Sequence, residues 1–243
     1  MDFFLETLIL SVLIIIQSIF GIGLLLFGTP TFLILGYDFL NTLNFLLPIS
    51  IMVSFLQFGS IKPQFKKTLF DFNFYCLPFV VLFLIFALNF KEVLNFKFYV
   101  TIILIISSIL ALRSKNFLFI NKIILKYKKI FLIFIGSVHG LTNMGGGFLS
   151  IFYSLINNKK KDARHLISYG YLIMGLIQYF ILLSFEYKNL DFSKIYYVFL
   201  VFLFYFPSQQ IFKKVNDILF RKIISTIALF YGLIILITNY YVY

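Results

Sequence analysis

Two stretches decide the fold: Gln17–Gly36, QSIFGIGLLLFGTPTFLILG, and His139–Asn158, HGLTNMGGGFLSIFYSLINN. Both are apolar enough to lie in a bilayer, yet each holds residues in its middle that disfavour a continuous helix. These residues are Gly21, Gly23, Gly28 and Pro30 in the first stretch and Gly145, Gly146 and Gly147 in the second. Irregular backbone at membrane depth is tolerated only where protein or a water-filled cavity covers it. The two stretches therefore predict broken helices that face each other across a transport site.

The composition of the whole chain excludes a water-soluble domain. Of its 243 residues, 61% are hydrophobic and only 12% are charged, and the mean hydropathy is +1.00. Several uncharged apolar runs reach the roughly 17 residues that a membrane-spanning helix needs. The net charge of +12 comes from short basic clusters between these runs. Such clusters set membrane orientation, so we expect an all-α polytopic membrane protein whose partner is the lipid bilayer and not nucleic acid.

The apolar runs divide the chain into two similar halves. We predict a first transmembrane repeat at 1–112, a basic cytoplasmic linker at 113–129 and a second transmembrane repeat at 130–243. The linker carries six basic residues and no acidic residue. Each half opens with a broken run, Phe3–Leu35 or Ile130–Ile156. The expected spans lie at about 40–58, 72–90 and 98–112 in the first half and 166–185, 195–206 and 223–243 in the second.

The first broken run is too long for one crossing and short for two. A single helix of 33 residues would extend about 50 Å, against a hydrocarbon thickness of about 30 Å. Thr is a favourable N-cap and Pro suits the first helical position. We therefore predict a helix over Phe3–Phe20 and a second, short helix that begins at Thr29–Pro30.

The distribution of lysine and arginine predicts the topology. If each broken run is a hairpin that returns to its starting side, the loops at 59–71, 113–130, 157–165 and 207–222 share one face and hold 17 basic residues. The opposite face then holds four. The positive-inside rule places the basic face in the cytoplasm of a bacterial inner membrane. Each half makes an odd number of net crossings, so the halves form inverted repeats, a recurring plan of secondary transporters.

The broken helices also predict the chemistry of the site. Glycine-rich breaks expose backbone N–H groups, and a half-helix that begins at mid-membrane points its positive dipole end at a bound anion. The candidate substrate-binding residues are Gly21, Gly23, Thr29, Pro30, His139, Asn143, Gly145, Gly146 and Gly147. The alternative reading is that the glycines only let helices pack closely. Gly136 and Gly140 have the spacing for such contacts.

His139 is the histidine inside an apolar run, and an ionisable residue at membrane depth is a functional candidate by default. It is predicted either to donate to the anion or to carry a coupled proton, or else to be a neutral side chain bonded to a backbone carbonyl. Polar residues on neighbouring spans are candidates for lining the path, although each is also explained by an interhelical hydrogen bond. These residues are Gln17, Asn44, Ser50, Gln57, Ser168 and Gln178.

The acidic residues narrow the function class. All nine lie at or near the ends of spans, so no carboxylate is expected deep in the membrane to bind a cation. The spans hold no nucleophile–base pair and no metal cluster, so we expect neither an enzyme nor a metal or cofactor site. Anion export needs no coupling, because an inside-negative potential favours efflux by about 2.3 kcal/mol per charge per 100 mV.

Three motifs resemble the TauE/SafE sulfite exporter family. They are GIG followed by a proline in Gly21–Pro30, NMGGG in Asn143–Gly147, and PSQQIFKKVNDILFRK in Pro207–Lys222. The resemblance implies an inner-membrane permease for sulfite, sulfonates or other small organic anions, for which a homodimer is an expected assembly. Leu24, Leu25 and Phe152 depart from that family's glycine and proline pattern. The predicted function is export of a small oxyanion, and the alternative is a non-transporting membrane scaffold or assembly factor.

Overall fold

The structure, a computed structural model, describes residues 3–59, 62–113, 118–157 and 159–216, together with residue 226. These residues form eleven α-helices and three short 3₁₀ helices, and no strand occurs among them. Five segments within them are long and apolar enough to cross a membrane. The helices are α1 Phe3–Phe20, α2 Leu24–Ile34, α3 Phe39–Phe58, α4 Lys66–Tyr75, α5 Leu77–Asn89, α6 Phe96–Arg113, α7 Leu118–Lys126, α8 Lys128–Thr142, α9 Gly146–Ile156, α10 Lys160–Glu186 and α11 Phe199–Lys214.

Most of the predicted spans are found, with shifted boundaries. The span predicted at 72–90 is α5 preceded by α4, with a bend at Cys76 followed by a proline at the start of α5. The predicted linker at 113–129 contains α7 and the start of α8. The last predicted span, 223–243, lies outside the residues that the structure describes, except for residue 226.

In the first broken run α1 ends at Phe20 as predicted, but the prediction that the second helix begins at Thr29–Pro30 is wrong. The second helix begins at Leu24, because Gly21 and Gly23 turn the chain with φ of 78° and 148°. Residues other than glycine rarely adopt such φ angles. Pro30 lies inside α2 and does not start a new helix. Because proline has no backbone N–H, one helical hydrogen bond is missing there.

The second broken run is interrupted where the sequence predicts. Asn143 ends α8 in the left-handed conformation, with φ of 63°, and its N–H donates to the carbonyl of His139 at 2.7 Å. The chain then folds back on α8. A Cβ placed on Gly145 would lie 2.6 Å from the carbonyl oxygen of Ile135 and 2.6 Å from Cβ of His139. This close reversal requires glycine at position 145.

Helices α3 and α10 form an antiparallel pair at the centre of the bundle. At one end Phe58 stacks on His165, with ring centroids 5.0 Å apart. At the other end the Asn44 amide donates to the carbonyl of Asp191 at 2.6 Å. The pair thus runs the length of the molecule and carries the two halves of the chain side by side.

Helices α5 and α8 run parallel and approach through glycine. A Cβ on Gly136 would lie 2.2 Å from the carbonyl oxygen of Cys76, and a Cβ on Gly140 would lie 2.5 Å from that of Val80. Gly136 and Gly140 therefore let α5 and α8 pack closely, as small residues do between membrane helices.

Helices α1 and α11 also run parallel. Near their starts Phe3 stacks on Tyr197 with ring centroids 6.0 Å apart. Near their ends the Gln209 amide donates to the carbonyl of Ser18 at 3.2 Å.

The basic loops within the described residues meet at one end of the bundle, which we call the basic end. Lys62 pairs with Asp162 at 2.7 Å, and Lys160 donates to the carbonyl of Phe212 at 2.8 Å. These contacts join the loop after α3, the start of α10 and the end of α11. That this end faces the cytoplasm stays a prediction.

A buried carboxylate closes the opposite end. Glu6, only 2% exposed, accepts hydrogen bonds from Tyr37 and Lys194, and from the Tyr197 hydroxyl at 2.9 Å. Burial acts to lower the pKa of Lys194, but its hydrogen bonds to Glu6 and Tyr37 outweigh burial and raise the pKa above its usual value. The network ties α1 to the connections before α3 and before α11.

Single-cysteine labelling tests this arrangement. In a background in which the buried Cys76 is replaced by alanine, cysteines at Lys67 and Lys161 should react with an impermeant reagent from one side of the membrane. Cysteines at Lys97 and Lys188 should react only from the other side. The measurement compares right-side-out with inverted vesicles. Equal accessibility of positions 161 and 188 from one side would contradict the fold.

Alanine substitution tests the α5–α8 contact. Gly136→Ala places a methyl group against the backbone oxygen of Cys76, whereas Gly175→Ala meets only side-chain atoms, Cγ1 of Ile51 at 2.9 Å and Cδ2 of Leu47 at 4.0 Å. Alanine is favoured in a helix by about 1 kcal/mol, so Gly175→Ala should preserve or raise the melting temperature in detergent. Gly136→Ala should lower it, and equal effects of the two variants would argue against close α5–α8 packing.

Candidate substrate site

The two halves of the chain meet at a buried hydrogen bond. The Asn143 amide donates to the Thr29 hydroxyl at 3.0 Å, although the two residues lie 114 positions apart in the chain. Both side chains are fully buried. Thr29 lies in the middle of α2 and Asn143 lies in the break between α8 and α9, so the contact joins a helix of one half to the interruption of the other.

His139 lies next to this hydrogen bond, one turn before the end of α8. Its side chain is fully buried, and neither ring nitrogen has a hydrogen-bond partner of ordinary geometry among the described residues. The Tyr171 ring stands edge-on to it, with centroids 6.1 Å apart. The Gln178 side chain also faces His139, and its Nε2 donates to the His139 carbonyl at 3.4 Å.

Within the described part of the chain, five polar atoms of this group have no hydrogen-bond partner of ordinary geometry, although the His139 ring and the Gln178 side chain face each other. Buried polar atoms are nearly always hydrogen-bonded, and leaving one unpaired costs about 1 to 3 kcal/mol. Their concentration around one break makes this region the candidate site. The atoms are Nδ1 and Nε2 of His139, Oδ1 of Asn143, Oη of Tyr171 and Oε1 of Gln178.

The first turn of α9 completes the site. Among the described residues no side chain caps its N-terminus at Gly145, where the helix dipole is positive. The N–H of Gly147 donates to the carbonyl of Met144 at 3.3 Å, and the other N–H groups of a first helical turn have no partner inside the helix. A Cβ on Gly146 would lie only 1.6 Å from Oη of Tyr171. The Tyr171 hydroxyl therefore lies directly against the helix start, where only glycine leaves room for it. Gly147, the next residue, accepts a bond from Ser150 at its carbonyl.

The corresponding helix start in the first half is closed by its own side chain. The backbone N–H of Leu24 donates to Oε1 of Gln17 at 3.2 Å. Nε2 of Gln17 donates in turn to the hydroxyls of Ser50 and Ser54 at 3.0 and 3.1 Å. Gln17 and Ser50, predicted to line a path, are thus held in an internal network, and the start of α2 has no free donor for a ligand at Leu24.

The glycines of the first break lie nearer the basic end than the site. A Cβ on Gly21 would meet Arg164 and Ile167, near the start of α10, whereas Gly146 faces Tyr171 further along that helix. Gly23 packs on Ile16 of α1. The two breaks therefore do not face each other directly. Thr29, followed in α2 by Pro30, provides the contact between α2 and the second break.

Of the predicted path residues, Gln178 reaches the site and the others have partners elsewhere. The Gln57 amide donates to the carbonyl of Ser18 at 2.9 Å, near the basic end. The Ser168 hydroxyl donates to the carbonyl of His165 in its own helix. Asn44 lies in a groove at the opposite end, which is lined also by Pro48, Tyr179, Asp191 and Lys194.

Tyr171 is a site residue that the sequence-based prediction missed. It is one of 16 tyrosines, so its type alone carried no signal. Its spacing did carry one, because Tyr171 precedes Gln178 by seven positions and residues so spaced share a helix face.

The site offers neutral hydrogen-bonding groups and no fixed charge. Tyr171 and a ring N–H of His139 can donate to a ligand, as can the backbone at the start of α9. Its members include no Asp, Glu, Lys or Arg. Within the described ranges no cluster of three or more His, Cys, Asp or Glu side chains could hold a metal ion.

Comparisons of the chain with family models, curated proteins and solved structures found no match. Membership of the TauE/SafE family therefore stays a prediction from short motifs, and the function has to be argued from the geometry of the site.

Two substitutions compare how a buried polar group with hydrogen-bond partners and one without them contribute to stability. Tyr171→Phe removes a hydroxyl without a partner, so the melting temperature in detergent should stay the same or rise. Gln17→Leu leaves the Leu24 N–H unpaired, so it should destabilise the protein by about 1 to 3 kcal/mol. Destabilisation by Tyr171→Phe as large as that by Gln17→Leu would mean that the hydroxyl has a structural role.

Proposed function

We propose that the protein is a membrane permease that exports a small organic or sulfur-containing oxyanion of the sulfite or sulfonate class. The observation that carries the proposal is the set of unpartnered polar atoms of His139, Asn143, Tyr171 and Gln178 at the start of α9. A protein whose helices served only as a scaffold would have no reason to bury these atoms together.

An oxyanion fits this set because its oxygens accept hydrogen bonds. Broken helices of transporters direct half-helix N-termini at anionic substrate groups near the middle of the membrane. Here α9 supplies the half-helix, and His139 and Tyr171 supply donors beside it. The sulfite and sulfonate class comes from the motif resemblance.

The helix pairs support an inverted repeat. In an inverted repeat, α3 of the first half corresponds to α10 of the second half, so these two helices run antiparallel. In the same way, the parallel pair of α1 and α11 corresponds to the parallel pair of α8 and α5. Phe58 on His165 and Asn44 on Asp191 agree with the first relation. The contacts of α1 with α11 and of α8 with α5 advance along both helices in the same direction, which agrees with the second.

The site is closed in this conformation. Tyr171 fills the space in front of Gly146, so an anion enters only when that side chain moves. The basic end, placed in the cytoplasm of a bacterial inner membrane, would concentrate anions at the entrance. The membrane potential then favours their exit.

Anion flux in proteoliposomes tests the function. Wild-type protein should carry sulfite or a small sulfonate above the rate of empty liposomes. His139→Phe keeps a ring of similar shape and removes the donor, so flux should fall at least about tenfold, the equivalent of one lost buried hydrogen bond. The matched control is His165→Phe, since His165 stacks on Phe58 and a phenyl ring preserves that contact.

Two results would contradict the proposal. Folded wild-type protein that carries none of sulfite, sulfonates, acetate or chloride would leave the scaffold function as the better account. Equal loss of flux in His139→Phe and His165→Phe would remove the reason for placing the substrate beside His139.

A further inference from the structure

The ion pairs of the protein share one feature. Within the described ranges, every ion pair joins a residue of the first half of the chain to a residue of the second half. Two of these pairs lie at the basic end and two at the opposite end, so charges connect the halves at both ends of the bundle. The pairs are Lys62–Asp162 and Asp71–Lys128 at the basic end, and Glu6–Lys194 and Lys91–Glu186 at the opposite end.

Glu6 and Lys128 occupy equivalent positions in the two halves. Glu6 lies near the start of α1, 15 positions before Gly21 in the first break. Lys128 is the first residue of α8 and lies 15 positions before Asn143 in the second break. In the inverted repeat proposed above α1 corresponds to α8. This acid and this base therefore correspond to each other, at opposite ends of the bundle.

The partners of Glu6 and Lys128 are equivalent as well. Lys194 lies five positions before the start of α11, and Asp71 lies six positions before the start of α5. Since α11 corresponds to α5, the pair Glu6–Lys194 at one end matches the pair Asp71–Lys128 at the other, with acid and base exchanged. The same contact between the halves is thus made once at each end.

Contacts between the halves at the two ends control access to the candidate site. The site is closed in this structure, because Tyr171 fills the space in front of Gly146. Transporters with inverted repeats alternate access to the two sides by moving one repeat against the other around a fixed site. Ion pairs between the halves at one end then have to separate while those at the other end stay formed.

The two equivalent pairs differ in strength. The carboxylate of Glu6 is buried and accepts hydrogen bonds from Tyr37 and Tyr197 in addition to Lys194. Hydrogen bonds to an ionised group are about twice as strong as those between neutral groups. At the basic end Asp71 lies 3.3 Å from Lys128, whose side chain is 45% exposed. A solvent-exposed ion pair contributes little, so the contact at the basic end is the weaker one.

We propose that Glu6–Lys194 and Asp71–Lys128 are the locks of two gates, one at each end of the path to the site, and that the gate at the basic end opens more readily. The inference rests on the proposed permease function and inverted repeat, and it adds the order of the steps. A substrate enters from the basic end when Asp71–Lys128 separates. It leaves at the opposite end only when Lys194 and the two tyrosines release Glu6.

Thiol labelling of the site tests both locks and does not depend on transport. In the Cys76→Ala background, Thr29→Cys reports when a small charged thiol reagent reaches the site in right-side-out or inverted vesicles. Labelling of this reporter should be faster from the side of the basic end. Glu6→Gln leaves Lys194 without its charged partner in the closed state, which is strongly destabilising. Labelling from the opposite side should then rise at least about tenfold.

Two further variants serve as controls. Asp71→Asn breaks the weaker lock, so labelling should rise only from the side of the basic end, and by at most about fivefold. Tyr197→Phe keeps the ring and removes one hydrogen bond to Glu6. It should give a smaller rise from the opposite side than Glu6→Gln does, because Lys194 and Tyr37 still hold the carboxylate. This milder variant also tests the lock if Glu6→Gln does not fold.

The outcomes separate this inference from the function on which it rests. Unchanged labelling from the opposite side in folded Glu6→Gln and Tyr197→Phe would overturn the lock at Glu6. Faster labelling of the reporter from the opposite side, with all four lock residues intact, would overturn the order of the gates. The expected labelling together with no flux of any anion would support the locks and contradict the permease function.

Discussion

A helix that stops inside a membrane has to find partners for its backbone groups, because no water is present there to bind them. The two broken runs of this chain meet that constraint differently. At the start of α2 the Gln17 side chain accepts from Leu24 and donates to two serines, so the network is complete. No side chain caps the start of α9, and the polar atoms around it lack partners in the described structure. The difference between one filled and one unfilled helix start is what distinguishes the candidate site.

Close packing keeps the unfilled site in place. Gly145 lies against α8 and Gly146 against Tyr171, and both positions exclude any larger side chain. The hydrogen bond from Asn143 to Thr29 then fixes the break against α2. The glycines therefore serve close packing, which is one of the two roles that the sequence allows, and their role in binding an anion stays a prediction.

The helical fold and its apolar spans were largely predictable from the sequence, and the candidate site only in part. Apolar runs indicate the spans and glycines indicate the breaks, and both can be recognised within a short stretch of sequence. The restart of the first broken run was misplaced, because Thr29 and Pro30 have the local chemistry of a helix start, whereas the actual start depends on Gly23 and on the cap from Gln17. Thr29 and Asn143 were both candidates, but their contact spans the two halves and has no local signature. Tyr171 was missed because its importance comes from the space in front of Gly146, which only packing defines.

We propose that a small oxyanion binds at the start of α9, among His139, Asn143 and Tyr171. A structure determined with selenite, a close analogue of sulfite, measures this directly, because selenium can be located by its anomalous scattering. The account predicts a selenium peak within hydrogen-bonding distance of the His139 ring and the Tyr171 hydroxyl. A selenium peak found only among the lysines of the basic end, with the space before Gly146 still filled by Tyr171, would contradict it.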